Sequence, residues 1–325
     1  MKEIKTAFKQ QLNEWGSKKI PFFFMIDFEM EKPLAFKLSE IDPATIKYSL
    51  QGFTNVPLND EATCPGSLAI FANPFNEYEK KFNIVFEQLK YGYSFLVNLT
   101  DKTRIESGSS LEDLFAATRA RYKLLFKDEF LVFSPESFIQ VKENQIFSFP
   151  MKGTIDSTIP NAREKILNDP KELAEHVTIV DLIRNDLSGV ASNVTVKRFR
   201  YVEEIQTQGK NLLQVSSEIV GDLPSGYTSR IGDLIIALLP AGSVSGAPKS
   251  KTLEIIRAAE NENRGYYTGV FGYFDGVNID TGVMIRFIER STDQLYYRSG
   301  GGITTQSNAT SEYQELIDKV YVPID

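Results

Sequence analysis

Lys152 stands in the run Ser148-Phe149-Pro150-Met151-Lys152-Gly153-Thr154, where an amine follows an apolar strand and meets a turn. A free lysine amine is a nucleophile, and desolvation disfavours its ammonium form. Ile146, Phe147 and Phe149 supply apolar surface beside it, which makes Lys152 a candidate nucleophile; the competing reading is a solvated turn residue. Upstream, Ser134-Pro135-Glu136-Ser137-Phe138 puts a carboxylate at a strand junction. A hairpin there would bring the Glu136 acid and the Lys152 amine to one cavity. Glu136 as a turn carboxylate capping backbone N–H groups is the alternative.

Three further constellations could carry chemistry. In Glu172 to Leu187, polar groups punctuate an apolar helical pattern, and Glu175 can share the face of Ile179, Leu182 and Ile183. A carboxylate on a buried face needs a cation or a proton, and magnesium is the simplest candidate. His176, the single histidine, points about 100° around the helix from Glu175 and reads as a packed or hydrogen-bonded residue. Near the C-terminus, Ser311 followed by Gln314 gives a capping-box pattern, and Glu312, Glu315 and Lys319 fall on one stripe. These are either oxygen ligands with a carboxylate-binding lysine or an exposed ion pair of ordinary kind. Lastly, Ala241 to Lys249, containing Ser245, and Ser299 to Ile303, containing Gly301 and Gly302, are small-residue turns that could cradle an anion with backbone amides. A phosphate-binding G-x-x-x-x-G-K-[ST] loop is excluded, because Ala247 and Pro248 separate Gly246 from Lys249.

The elements that must position these residues alternate without regular βαβ spacing. Strands are expected over Phe22–Asp27, Ser94–Leu99, Phe130–Phe133, Ser137–Val141, Asn211–Val220, Gly269–Phe274, Asp280–Ile288 and Gln294–Ser299. Helical spacing marks Asn76–Tyr91, Leu111–Phe126 and Ala174–Leu187. Long successive strands with short turns favour antiparallel pairing, hence an α+β fold.

With 325 residues, 42% hydrophobic and 24% charged, the chain suits one large domain or two smaller ones, and no clean boundary shows. The formal charge of −7 without a basic block argues against nucleic acid. The single cysteine, Cys64, fits a reducing compartment and excludes an internal disulfide or thiolate metal site. The apolar run Ile20–Ile26 is too short to span a membrane and Met1–Lys19 is amphipathic and charged, so the expected address is the cytoplasm.

Taken together and in this order, these segments resemble the chorismate-utilising enzymes, on the runs Thr178–Asp186, Leu239–Lys249 and Tyr296–Lys319, over roughly Asn73 to Val320. The resemblance implies a large α+β domain of antiparallel sheets flanked by helices, with residues 1–72 a short N-terminal β-rich region and 73–325 the catalytic core. It implies one cleft for chorismate and magnesium. Within the family, aminodeoxychorismate synthases carry Pro-Ile-Lys-Gly-Thr where this chain has Pro150 to Thr154, whereas anthranilate and isochorismate synthases carry alanine at the lysine position. The implied reaction is amination of chorismate at C4: Lys152 attacks C2, Glu136 protonates the leaving hydroxyl, and ammonia then expels the lysine. An anthranilate synthase large subunit is the nearer rival. Leu96 replaces the lysine that water-adding members place before the V-x-L segment, which disfavours isochorismate and salicylate synthesis.

The same resemblance makes Glu175 and Glu315 magnesium ligands with Glu312 near the ion, and Arg286, Tyr296, Lys319, Ser245 and the Gly301–Gly302 amides substrate contacts. Asp181, Arg184, Asn185 and Asp186 look like organisers of the helix and core. Gln214 takes the place of a histidine found in many relatives before their L-V-S segment, and is expected as a further substrate contact by hydrogen bonding. Longer relatives hold tryptophan in an N-terminal sheet; no counterpart of the tryptophan-site serine motif shows in residues 1–72, so insensitivity to tryptophan is expected. Cys64 and His176 do not make a glutaminase triad, so ammonia is expected from a separate glutamine amidotransferase subunit.

Overall fold

The computed structural model describes residues 2–57, 68–205 and 211–323; Cys64 lies outside them. The chain forms an α+β fold of two antiparallel sheets, each of nine strands among the described residues, packed face to face between two layers of helices. The run Phe22–Ile26 shows why the layers form. All five side chains are buried, and alternate residues serve opposite faces. Phe22, Phe24 and Ile26 pack under the helices Lys2–Ser17, Pro170–Ser188 and Ile231–Leu238, while Phe23 and Met25 pack between the sheets against Tyr48, Tyr122 and Phe271. The second sheet is covered by Phe75–Lys90, Lys249–Glu260 and Ala309–Asp318, whose apolar residues meet Val97, Leu99 and Ile303.

The N-terminal region expected to be β-rich opens with the helix Lys2–Ser17, and its strands enter both sheets: Phe22–Ile26 pairs with Val270–Phe274, and Ile46–Leu50 with Tyr122–Phe126. The helix expected over Leu111–Phe126 stops at Ala117. Tyr122–Phe126 is instead a fully buried strand between Ile46–Leu50 and Phe130–Ser134. A short run buried on both faces has no period that distinguishes it from a helix. The buried Lys123 ends the helix by donating to the carbonyls of Phe115 and Thr118, both at 2.7 Å.

Two other expectations change in a way that builds the site. Ser134-Pro135-Glu136 does not close a hairpin: Phe130–Ser134 belongs to one sheet and Ser137–Lys142 to the other. Likewise Asp280–Ile288 is not one strand but two, Ile279–Val283 and Phe287–Ser291, in different sheets, with Arg286 at a φ of +52° between them. The two crossings lie side by side. The Val283 N–H donates to the Glu136 carbonyl and the Phe133 N–H to the Arg286 carbonyl, each at 3.1 Å. The C-terminal helix begins at Ala309, and its cap is Asn308, whose side chain accepts from the N–H groups of Thr310 and Ser311, so Ser311 is not the cap.

Candidate active site

A cavity of about 1420 Å³ opens beside these crossings, with Glu136 and Arg286 on its wall. Its floor is the strand Gln294–Ile303, where Arg298 to Gly302 line the space without bulky side chains beyond Arg298 and Ser299. A side chain here would crowd what stands opposite. A Cβ on Gly301 would lie 3.3 Å from Glu312 Oε2, and one on Gly302 would lie 2.9 Å from Leu96 Cδ1 and 3.4 Å from Lys152 Nζ.

Lys152 enters from the strand Met151–Asp156, which pairs with Leu212–Asp222 and slips register between Lys152 and Thr154. Gly153 makes that irregularity possible: its φ is +74°, and a Cβ there would come within 2.9 Å of Glu172 Oε2. The expected apolar setting of Lys152 is not what surrounds its amine. Ile146 belongs to the core under the helices and Phe147 stacks on Phe149, whereas Lys152 Nζ lies 3.6 Å from Glu175 Oε2. Gln214, also on the cavity wall, donates from Nε2 to Met151 Sδ at 3.2 Å.

Glu175 is delivered by the helix Pro170–Ser188, capped by Asp169, whose carboxylate accepts from the N–H groups of Lys171 and Glu172. The helix spacing that exposes Glu175 to the cavity also turns Lys171 and Glu172 toward it. Glu312 and Glu315 come from Ala309–Asp318, and Lys319 at its end donates to Glu315 Oε1 at 2.7 Å and to the Gly300 carbonyl at 2.8 Å. Burial pushes the Lys319 amine down, against the upward pull of Glu315. Burial also raises the Glu136 carboxyl, opposed by a hydrogen bond from Ser243 and by the charges of Lys152 and Arg286. A carboxyl held up in this way is suited to donate a proton.

The comparisons with known proteins agree with this architecture. A model of the chorismate binding enzyme family matches residues 39–325. The chain belongs to that family. It is 50% identical over 319 residues to an uncharacterised PabA-like protein of Pasteurella multocida, covering 98% of both chains. It is 34% identical over 259 residues to aminodeoxychorismate synthase component 1 of Salmonella typhimurium, covering 75% of this chain and 56% of that one. Among solved structures, a putative 2,3-dihydroxybenzoate-specific isochorismate synthase of Bacillus anthracis superposes with a TM-score of 0.73 at 21% identity, covering 97% of this chain and 86% of that one, a likeness of fold.

In this chorismate-binding enzyme the residues singled out from sequence are mostly, but not all, gathered at one cavity. Lys152, Glu136, Glu175, Glu312, Glu315, Arg286, Gly301, Gly302, Lys319 and Gln214 line it. Tyr296 does not: its hydroxyl donates to Gln294 and its ring faces Lys102. Ser245 is fully buried with its hydroxyl donating to the Ala241 carbonyl at 2.8 Å, and the cavity hydroxyl of that turn is Ser243 instead. His176 is packed as expected, its Nε2 2.7 Å from Ser217 Oγ and its basicity lowered by burial to about 4. Asp186 pairs with Lys249 at 2.7 Å and lines a small second pocket that also reaches Glu136 and Ser243, while Asp181 pairs with Arg184 at 2.7 Å.

Residues that motif reading missed are Lys171, Glu172, Asn98, Arg119 and Arg121, all on the cavity wall. Lys171 and Glu172 were findable from their spacing to Glu175; Asn98 and the arginines carry no motif. Lys171 Nζ sits 3.6 Å from Glu312 Oε1 and 3.9 Å from Glu175 Oε1. Burial would lower the Lys171 amine, but Glu312, Glu175, Glu315 and Glu172 outweigh it and raise it. Burial and the neighbouring carboxylates in turn raise Glu312 and Glu172. Among the described residues no three acidic, histidine or cysteine side chains close on one point. Glu312 Oε1 is nonetheless buried without a hydrogen-bond donor. Hard oxygen donors with an orphaned buried oxygen fit magnesium chemically, with Lys171 standing between them. Among the described residues no helix is long and apolar enough to cross a membrane.

Proposed function

We propose that the chain converts chorismate and ammonia to 4-amino-4-deoxychorismate, acting as the synthase component beside a separate glutamine amidotransferase. The reading rests on one observation above the others: the amine of Lys152 and the acid Glu136 line the same cavity, where the family's other branches are expected to carry alanine in place of the lysine. The free amine of Lys152 forms a bond to C2 while the ring double bond shifts and the C4–O bond breaks. Glu136 gives its proton to the departing hydroxyl, which leaves as water. Ammonia then bonds to C4 as the C2–N bond breaks, returning the amine to Lys152. The Glu136 carboxylate takes up the surplus proton of the new ammonium group and is ready for another turnover. Splitting a hard displacement into two easier ones is the gain of covalent catalysis.

Arg286 and Lys319, on the same wall, supply positive charge for the carboxylates of the substrate. Glu175, Glu315 and Glu312 would hold magnesium, which when bound neutralises a carboxylate and fixes substrate orientation. Lys171 must then withdraw from between Glu175 and Glu312. The expected address is the cytoplasm.

Incubating the purified chain with chorismate, magnesium and ammonium, with and without aminodeoxychorismate lyase, tests the proposal. p-Aminobenzoate formed only with the lyase supports it. Anthranilate or isochorismate as the product overturns it, anthranilate being the outcome for the rival synthase.

A further inference from the structure

The second pocket, of about 20 Å³, is walled by Glu136, Ser137, Ser148, Asp186 and Ser243 among apolar neighbours. Glu136 and Ser243 line both this pocket and the large cavity, whereas Asp186 lines only the small one. The volume is room for one water, which is held in such a place by two to four polar partners. The hydroxyls around it have committed their protons elsewhere. Ser148 donates to the Phe138 carbonyl at 3.2 Å, Ser137 to the Thr281 carbonyl at 3.4 Å, and Ser243 to Glu136. A hydroxyl has a single hydrogen, so the wall offers lone pairs and two carboxyl groups, a set that suits a molecule with two O–H donors.

Asp186 meets solvent as well as the pocket. It stands in the last turn of the helix Pro170–Ser188, its carboxylate accepts from Lys249 Nζ at 2.7 Å, and its side chain is 18% exposed. Lys249 also donates to the Leu238 carbonyl at 2.9 Å, which anchors the pair at a second point. The charges that face the two carboxyls are Lys249 on Asp186, and Lys152 and Arg286 on Glu136. Burial raises both carboxyls against these cations, so each keeps its proton to a higher pH than a solvated acid.

We propose that Asp186 and one water in this pocket form a proton relay to Glu136, an inference that rests on the amination reading given above. Chorismate in the large cavity covers the side of Glu136 that faces it, so an acid that is ionised when the substrate binds needs another source of protons. The Asp186 carboxyl gives its proton to the water oxygen as the water gives one of its own to the Glu136 carboxylate. The water is left unchanged, and the Asp186 carboxylate, held by Lys249, is reprotonated from solvent. Glu136 remains the catalytic acid. Asp186, which does not touch the substrate, is a positioning residue for its proton.

The test compares steady-state amination by wild type, Asp186→Asn and Lys249→Met across pH, in ordinary and heavy water. Asp186→Asn keeps the shape of the side chain but cannot pass a proton. It is expected to lower kcat about tenfold, less than loss of the acid itself, with KM for chorismate unchanged and a larger solvent isotope effect, because proton supply becomes slow. Lys249→Met removes the same ion pair but leaves the acid, and is expected to keep kcat and the isotope effect near wild type. Equal losses in the two variants make the pair structural and overturn the assignment. Asp186→Asn with wild-type kcat, or with a lower kcat and an unchanged isotope effect, overturns it too. A proton inventory needs no variant: at alkaline pH, where Glu136 must first gain its proton, two protons moving together bow the plot of wild-type rate against deuterium fraction, and a straight line contradicts the relay. Should wild type itself form no aminated product, the functional reading falls and takes this assignment with it, a result distinct from the others.

Discussion

Lys152 Nζ lies 3.6 Å from Glu175 Oε2, and Glu175 Oε1 lies 3.9 Å from Lys171 Nζ. One carboxylate thus stands between the residue proposed as nucleophile and the residue that occupies the proposed metal position. Binding of a divalent ion to Glu175 and displacement of Lys171 would change the setting of Lys152, so on the proposed reading metal occupancy and nucleophile readiness would be coupled through a single side chain.

That coupling gives the first prediction. Millimolar magnesium should raise the thermal unfolding midpoint by about 2–5 °C, since a ligand bound only to the folded state stabilises it by mass action. Glu312→Gln removes a ligand charge and should abolish the shift while leaving the metal-free midpoint unchanged or higher, because burial and its acidic neighbours already disfavour the Glu312 carboxylate. Differential scanning calorimetry with and without magnesium checks it. An equal shift in the variant removes Glu312 from the metal site.

The second concerns the acid. Burial raises the Glu136 carboxyl, and only its protonated form can donate to a leaving hydroxyl. Activity should therefore fall as pH rises through its pKa. Glu136→Gln cannot donate and should lose about 10²- to 10⁴-fold in kcat, the usual worth of a general acid, with that alkaline limb gone from the residual rate. A pH–rate series of both proteins decides; a limb that survives in the variant belongs to another group.

The third concerns stability and lies away from the site. Asp280, 7% exposed, accepts from the Tyr122 hydroxyl and from Gln51, each at 3.0 Å, and burial raises its carboxyl to about 6. An acid whose pKa is higher in the folded state binds its proton more tightly there. Stability from this group is present below about pH 4, is lost as pH climbs toward 6, and amounts to at most about 3 kcal/mol. Asp280→Asn should remove the loss, so the variant gains on wild type between pH 4 and 6 and keeps the gain at pH 7. Urea unfolding across that range measures it; a constant difference contradicts it.

Much of this was legible in the residues. The apolar strand Phe22–Ile26, the helix bearing Glu175 and the glycines Gly301 and Gly302 carry local signals that survive in the fold. What could not be read was the passage of the chain between sheets. Nothing in Ser134-Pro135-Glu136 or Met284-Ile285-Arg286 distinguishes a crossing from a hairpin or a continuous strand, because the hydrogen bonds that fix the choice join the two segments to each other over a long separation. Ser245 closes the short turn Gly242–Val244 with its hydroxyl donating to the Ala241 carbonyl, and Tyr296 lies off the cavity for a related reason. A strand alternates its faces, and which face meets the cavity depends on partners far along the chain.

The role of Lys152 as nucleophile is open to direct test by intact-protein mass spectrometry of the chain held with chorismate and magnesium and no ammonium, then quenched. The mechanism predicts a species heavier by chorismate less one water, mapped by peptide analysis to Lys152, absent from Lys152→Ala, and lost on adding ammonium; the variant should also lose more than about 10³-fold in amination while still binding chorismate. Amination that proceeds without any adduct, or that persists in Lys152→Ala, would contradict it.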